Sequence, residues 1–228
     1  MTPGKLHEKQ DNQEREKRRM NRAAADQYAS FKELSQNEIE GTDYRVFAQA
    51  AGNSLLVMSP HGGGIEPGIS EIVKAFAGGY SVYLLEGIKL RGNHVLHVTS
   101  DHFDDPRAIE MAAGHEYVLA FHGYYELSHC RTLVGGTDRK RAEVFVDSLR
   151  RHGFSAELLE KSARLSGTSP KSINNRCRTG LSVQFEISTA QRKAMFDRFS
   201  RKGRDASKNE VFDRYIKAVK EGAADAYG

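Results

Sequence analysis

A histidine and a glutamate stand within a run of glycines, directly after a short apolar segment. Residues 55–58 are apolar and predict a buried strand, and Pro60 followed by three glycines cannot continue it, so His61 lies where the strand passes into a loop. Because glycine has no side chain, this loop can fold closely around an ion or a ligand and direct His61 and Glu66 inward. Imidazole and carboxylate groups are both good zinc ligands. The segment is therefore a candidate for part of a metal site.

An ordinary structural role for the same residues stays open. His61 could be an ordinary capping histidine, and Glu66 could be the first-turn acid of a helix predicted over residues 66–76. The glycines could hold a phosphate. The loop lacks both the Gly-Lys-Ser/Thr ending of a P-loop and the glycine spacing of a dinucleotide fingerprint, which weakens the phosphate alternative. A third ligand elsewhere in the chain would favour the metal.

His122 is the candidate third ligand. Residues 117–121 predict a second buried strand, which ends in His122-Gly123, the same arrangement that presents His61. A histidine at this place is also typical of a simple strand edge, but with His61 and Glu66 it completes a His, Glu, His set. Such a set leaves the fourth zinc position open, as catalytic sites require. The pattern predicts zinc (Zn2+) as a cofactor.

Hydrolysis at such a metal also needs a base. Glu186 is a carboxylate inside the apolar segment of residues 181–187, and burying a carboxylate is costly unless it is paired or functional. The alternative is a strand whose apolar residues point inward while Glu186 points into water. The sequence pattern favours neither arrangement.

Further polar residues could contact a substrate. Asn175 and Arg176 offer an amide and a guanidinium that could bind a substrate carboxylate or merely hold a turn. His97 and His102 could line the cleft or stabilise charge, although such histidines are often surface residues. We take Arg176, Asn175 and His102 as candidate substrate-binding residues.

The elements that must position these residues alternate along the chain. Strands are predicted at residues 44–48, 55–58, 80–85, 95–98, 117–121 and 181–187. Helices are predicted at residues 66–76, 106–113, 138–152, 189–199 and 208–219. This alternation indicates a single α/β domain in which an open, mostly parallel sheet is covered by helices on both faces, a three-layer αβα arrangement.

Composition narrows the class of protein. The 228 residues carry a formal net charge of +4 and contain no apolar run of membrane-spanning length, so we expect a protein without a membrane partner. This mild charge does not by itself point to nucleic acid, but it suits an acidic substrate. The charged residues 1–25 predict a flexible tail ahead of a domain at 26–228, and they lack the apolar core of a signal peptide, so we expect a cytoplasmic product. Cys130 and Cys177 are expected to be free thiols.

Several motifs, taken in order, resemble the poly-γ-glutamate hydrolase family of phages and bacteria over residues 28–199. They are Ser-Pro-His61-Gly-Gly-Gly-Ile-Glu66-Pro-Gly-Ile-Ser-Glu71, Phe-His122-Gly, Val134-Gly-Gly136, Ile173-Asn-Asn-Arg176-Cys177 and Val183-Gln-Phe-Glu186-Ile187-Ser188. The motif around His61 is highly specific, while the others are weaker singly but keep the family's order.

The resemblance implies a zinc hydrolase with a carboxypeptidase-like open α/β sheet that cuts amide bonds in polyanionic poly-γ-glutamate. It implies that His61, Glu66 and His122 bind zinc and that Glu186 is the general base. It also implies that Arg176 and Asn175 receive a carboxylate. A monomer is expected. Two alternatives stay open: a zinc amidase or peptidase acting on a small acylated amino acid or a cell-wall γ-glutamyl peptide, and a non-catalytic binding module.

Overall fold

Apolar runs that alternate with helical segments form one seven-stranded sheet in the computed structural model, which describes residues 26–228. The predicted tail of residues 1–25 lies outside this range. The strands are β1 Tyr44–Gln49, β2 Leu55–Gly63, β3 Ser81–Gly87, β4 Tyr117–Tyr124, β5 Thr132–Gly135, β6 Ala156–Leu158 and β7 Leu181–Ser188. The helices are α1 Phe31–Asn37, α2 Ile69–Lys74, α3 Pro106–Gly114, α4 Arg139–Arg151, α5 Thr189–Ala194 and α6 Glu210–Tyr227.

The sheet is mixed and mostly parallel, as the sequence pattern predicts. The strand order is β1-β3-β2-β4-β7-β5-β6. The pairs β3–β2, β2–β4, β4–β7 and β5–β6 are parallel. Strand β1 runs antiparallel to β3, and β5 runs antiparallel to β7. The central strands are therefore parallel, and their carboxyl ends meet at one edge of the sheet.

Two hydrophobic cores lie on opposite faces of this sheet. On β2, Leu55 and Val57 belong to one core, while Leu56 and Met58 belong to the other. Helices α2, α4 and α6 contribute to the first core, and α1 and α3 to the second. A strand covered on both faces must be apolar throughout, which explains the unbroken apolar run that precedes His61. The three-layer αβα arrangement is confirmed.

The chain changes direction around β2. From β2 it passes through α2 to β3 on one side, and from β3 it passes through α3 to β4 on the other side. The two crossover helices lie on opposite faces, because Ile72 of α2 packs in the first core and Ala108 of α3 in the second. Such a reversal opens a crevice beyond the carboxyl ends of the strands, where open α/β sheets bind ligands.

The structure differs from the sequence-based prediction in one wrong strand, one shifted helix start and three short elements that were not predicted. The strand predicted at residues 95–98 is wrong: Asn93–Leu96 form a 3₁₀ helix, and Leu96 and Val98 are apolar because they pack in the second core. The helix predicted from residue 66 begins only at Ile69, after Gly68 at φ 100°, which leaves Glu66 in the loop. The short elements α1, β5 and β6 have no predicted counterpart.

The remaining predicted helices are present with shifted ends. The segment predicted at residues 208–219 is extended to Tyr227 as α6, and the segment predicted at 189–199 ends at Ala194 as α5. Within residues 26–228, none of the helices is both long and apolar enough to cross a bilayer.

Candidate metal centre and active site

Three predicted ligands converge at the carboxyl ends of β2 and β4. His61 lies near the end of β2, where the strand register shifts between Ser59 and Gly62. Glu66 lies in the loop that follows, and His122 lies on the neighbouring parallel strand β4. One ligand atom from each of the three residues falls within 4.8 Å of the others. This group could hold a metal ion.

The distances between ligand atoms suit zinc. The Nδ1 atoms of His61 and His122 are 3.0 Å apart, and His61 Nδ1 is 3.3 Å from Glu66 Oε1. Tetrahedral zinc with bonds of about 2.0–2.1 Å separates its ligand atoms by roughly 3.4 Å. The two distances from His61 Nδ1 are therefore within a few tenths of an ångström of those in a zinc site.

Outer contacts direct these ligand atoms toward one another. His61 Nε2 lies 2.8 Å from the carbonyl oxygen of Val98, so the ring donates there and keeps a lone pair on Nδ1. Glu66 Oε2 accepts a 2.6 Å hydrogen bond from the backbone N–H of Gly123, which leaves Oε1 for a metal. Hydrogen bonds on the side away from the metal position thus fix the orientation of His61 and Glu66.

His122 is held by an amide. Its Nε2 lies 3.1 Å from the side-chain amide of Asn174, whose Oδ1 is buried without a hydrogen-bond partner. If Nδ1 of His122 binds a metal, Nε2 carries the ring proton and needs an acceptor. A half-turn of the Asn174 amide would supply Oδ1 as that acceptor, but it would also break the 2.9 Å hydrogen bond that the amide donates to Gln184 Oε1.

The glycines beside the ligands permit close approach of other chain segments. Gly63 has φ 68°, and a Cβ there would collide with the carbonyl oxygen of Gly87. A Cβ at Gly123 would lie 2.6 Å from the guanidinium carbon of Arg192. These two glycines therefore allow close packing around the site.

Arg192 is a buried cation that joins three segments of the site. It donates to the main-chain carbonyls of Pro67 at 2.6 Å, Tyr124 at 3.2 Å and Ile187 at 3.0 Å. These carbonyls follow Glu66, His122 and Glu186 by one or two residues. One guanidinium thus holds the chain just beyond all three candidate side chains.

Glu186 lies beside the ligands and away from bulk water. It pairs with His122 in the register of β7 and β4, and it is only 6% exposed. Its Oε1 accepts a 2.9 Å hydrogen bond from Gln184. Burial, together with the negative charge of Glu66, raises the pKa of Glu186 well above its usual range. The open question about Glu186 is answered in favour of a buried carboxylate.

The ligand residues influence one another's charge. Burial tends to raise the pKa of Glu66, but the neighbouring imidazole of His61 and its hydrogen bond lower that pKa to about 2. Burial, with the imidazole of His61 beside the ring, lowers the pKa of His122 to about 3. An ionised carboxylate and a neutral imidazole are the protonation states that bind zinc.

A cavity of about 930 Å³ opens over this centre. It is lined by the three ligands and Glu186, by His97, and by the loop of residues 161–169. Two cations of this loop, Lys161 and Arg164, are exposed to the cavity. Among residues 26–228, neither side chain has a salt-bridge partner. Both charges are therefore available to an acidic ligand.

The predicted substrate-binding residues lie outside the cavity wall. Asn175 is buried and donates to the carbonyls of Gly167 at 2.8 Å and Ser169 at 2.7 Å, so it supports the loop. Arg176 is exposed and donates to the carbonyl of Lys171. His102 is exposed in a 3₁₀ helix and is not among the residues that line the cavity. Direct substrate contact by these residues stays a prediction.

His97 is the other histidine of the cavity wall. Its ring stacks on His61 with centroids 4.1 Å apart, and its Nδ1 lies 2.6 Å from Asp26. His97, and not the predicted His102, is therefore the histidine that lines the cavity beside the ligands. Lys161, Arg164 and Arg192 escape sequence reasoning because no local motif or apolar period marks them.

Comparison with known proteins identifies the family of this chain. A family model described as poly-gamma-glutamate hydrolase matches residues 28–218. Two UPF0714 proteins of Bacillus subtilis (strain 168), YmaC and YndL, are 48% and 46% identical over 196 residues. Each alignment spans 86% of this chain, and it spans 83% of YmaC and 77% of YndL.

Solved structures give the same result. The zinc-free apo structure of YndL superposes with a TM-score of 0.87 at 44% identity, covering 90% of this chain and 100% of that one. A bacteriophage poly-gamma-glutamate hydrolase superposes with a TM-score of 0.84 at 37% identity, covering 90% of this chain and 99% of the other. On this evidence, the chain belongs to the poly-gamma-glutamate hydrolase family.

Proposed function

We propose that this protein is a zinc-dependent hydrolase that cleaves γ-glutamyl amide bonds in poly-γ-glutamate. The observation that carries the proposal is the convergence of His61, Glu66 and His122 within 4.8 Å, beside the buried Glu186. Two relatives support it: YndL has a structure described as zinc-free, and the bacteriophage relative is a poly-gamma-glutamate hydrolase.

The three ligands fit a catalytic zinc ion. His61 Nδ1, His122 Nδ1 and Glu66 Oε1 would hold it, and three protein ligands leave one position open. When bound, zinc supplies a Lewis acid that polarises a carbonyl and makes water nucleophilic near neutral pH. The hydrogen bonds made by His61 Nε2 and Glu66 Oε2 keep the other ligand atom of each side chain directed at the metal position.

Glu186 moves the proton. As a base, its carboxylate takes the proton of the attacking water, and as an acid it passes that proton to the leaving amine. Its raised pKa suits the second role, because a higher pKa favours the protonated carboxyl group that donates to the amine. The hydrogen bond from Gln184 fixes the orientation of the carboxylate.

Arg164 and Lys161 receive the acidic substrate. Each γ-linked glutamate unit keeps one free carboxylate, so a chain that lies across the metal needs cations in the cavity wall. Arg164 lines the same cavity as Glu186 and is exposed to it. Asn175 assists by holding the loop that carries both cations.

One experiment tests the reaction and separates it from the alternatives. The zinc-loaded protein is incubated with poly-γ-glutamate, poly-α-glutamate or a short γ-glutamyl peptide, and chain length is followed by gel filtration. Shortening of the γ-polymer alone supports the proposal. Cleavage of the short peptide alone would replace it with a small-substrate amidase, and a zinc-loaded protein that cuts none of the three would indicate a binding module.

A further inference from the structure

A second surface cavity adjoins the metal cavity. It has a volume of about 590 Å³ and lies between the start of α4 and the end of α6. Lys161 lines both cavities, so the two form a continuous surface. The second cavity is also lined by four consecutive charged residues, Asp138, Arg139, Lys140 and Arg141.

Cations prevail on this surface because its acids are already paired. Asp138 lies 2.6 Å from Arg141, and Asp225 lies 3.1 Å from Arg151. In contrast, Lys140 and Lys161 are exposed, and neither has a salt-bridge partner among the residues that the structure describes. Two ammonium groups are therefore free to bind an anion.

Side-chain contacts fix the position of the arginines on this surface. The Arg139 guanidinium donates to the carbonyl of Leu159, which ties α4 to the segment before Lys161. Arg141 lies over the rings of Tyr117 and Tyr227, 4.3 Å and 4.8 Å from their centroids. These contacts hold the positive charges in place, and the start of the 13-residue helix α4 adds a further positive field.

We propose that this surface is an exosite that binds poly-γ-glutamate beyond the cleavage site, an inference that rests on the proposed function. Arg164, Lys161 and Lys140 lead from the metal cavity into the second cavity, and a polymer with one carboxylate per unit can contact each in turn. A single-stranded nucleic acid is favoured less, because it needs aromatic faces for stacking, and those of Tyr117 and Tyr227 are already covered by Arg141. The exosite makes long chains better substrates than short ones.

A charge reversal in the exosite tests this. Lys140→Glu is compared with Lys217→Glu, an equal change of charge on an exposed lysine of α6 that lines neither cavity. For long poly-γ-glutamate, Lys140→Glu should raise KM roughly two- to fivefold, the range of one exposed ion contact, and leave kcat unchanged. Its kinetics on a short γ-glutamyl oligomer, and all kinetics of Lys217→Glu, should match the wild type. High salt should abolish the difference.

Other outcomes overturn the exosite. The exosite would be refuted if Lys140→Glu and the wild type had the same KM for the long polymer. It would also be refuted if Lys140→Glu raised KM equally for long and short substrates. Anisotropy with labelled DNA provides a further test: binding of DNA that depends on Lys140, without such dependence for the polymer, would assign the surface to nucleic acid. A wild-type protein that leaves the polymer intact would instead refute the proposed function itself.

Discussion

Glu186 and His122 are direct neighbours in the parallel register of β7 and β4. On β7, Val183, Phe185 and Ile187 pack into the first core, so Glu186 points to the opposite face. On β4, Phe121 packs into the same core, and His122 follows on the opposite face. The pleat of two paired strands therefore presents a buried carboxylate and a metal-ligand candidate on the same side of the sheet.

The zinc site is tested by metal content. We expect the purified protein to hold about one zinc per chain, and His122→Ala to lose most of it because one of three protein ligands is removed. Metal analysis after dialysis gives the ratio. His129→Ala, in which a 71% exposed histidine is removed, is the matched control and should keep its zinc. Full zinc retention by His122→Ala would contradict the ligand assignment.

The role of Glu186 is tested by Glu186→Gln. This variant should bind zinc and fold normally but hydrolyse roughly a hundredfold to ten-thousandfold more slowly, since an amide of the same size cannot accept the proton. Removing a carboxylate that burial disfavours should leave the free energy of unfolding unchanged or higher. Turnover close to the wild type would move the base to another residue.

Arg192 is expected to position the site. Arg192→Met removes the donor shared by the carbonyls of Pro67, Tyr124 and Ile187, of which Tyr124 keeps a bond from Thr189. A buried carbonyl left unpaired costs about 1–3 kcal/mol, so we expect a lower midpoint of thermal unfolding. Zinc affinity, measured at a temperature where the variant is folded, should fall about tenfold or more because the ligand loops lose a common anchor. Arg192→Lys keeps the charge and should recover part of this loss. Unchanged zinc affinity in folded Arg192→Met would show that the arginine is structural only.

Arg164 and Arg176 are alternative candidates for binding the substrate carboxylate. Arg164→Ala should raise KM for poly-γ-glutamate several-fold, because this guanidinium lines the metal cavity, whereas Arg176 is bound to the carbonyl of Lys171. Steady-state kinetics of both variants decide between them. Arg214→Ala, which removes an exposed arginine packed on Phe154, serves as the control. A larger effect for Arg176→Ala would restore the assignment made from sequence.

Asp26 should make stability depend on pH in acid. Burial tends to raise its pKa, but hydrogen bonds from His97 and from the backbone N–H of Thr99 lower that pKa to about 2, against an ordinary 3.8. Because the folded pKa is the lower one, the carboxylate contributes stability above about pH 4, and this contribution is lost as the pH falls toward 2. Urea unfolding of Asp26→Asn should show a weaker dependence on pH in that window. An unchanged pH dependence would mean that the pair adds nothing to stability.

The candidate ligands follow from the sequence because each depends on a short stretch of chain. An apolar run that stops at a histidine and glycine indicates a strand end, whether at His61 or at His122. Parallel strands place such ends together at one edge of the sheet, so convergence can be expected before any coordinates exist. The apolar 95–98 segment shows the limit of this reasoning: an apolar run indicates burial, but burial against the sheet face does not require a strand.

Tertiary packing alone decided the surroundings of the ligands. The position of Glu186, in the cavity wall instead of water, depends on the 161–169 loop that covers its face of β7. The presence of Arg164 in the cavity wall depends on the loop that Asn175 supports, and Arg192 contacts a segment 125 residues away in sequence. Sequence patterns are periodic over a few residues, and contacts between distant segments leave no such period. The candidate metal ligands could therefore be predicted from the sequence, whereas the cations that line the cavity and brace the site could not.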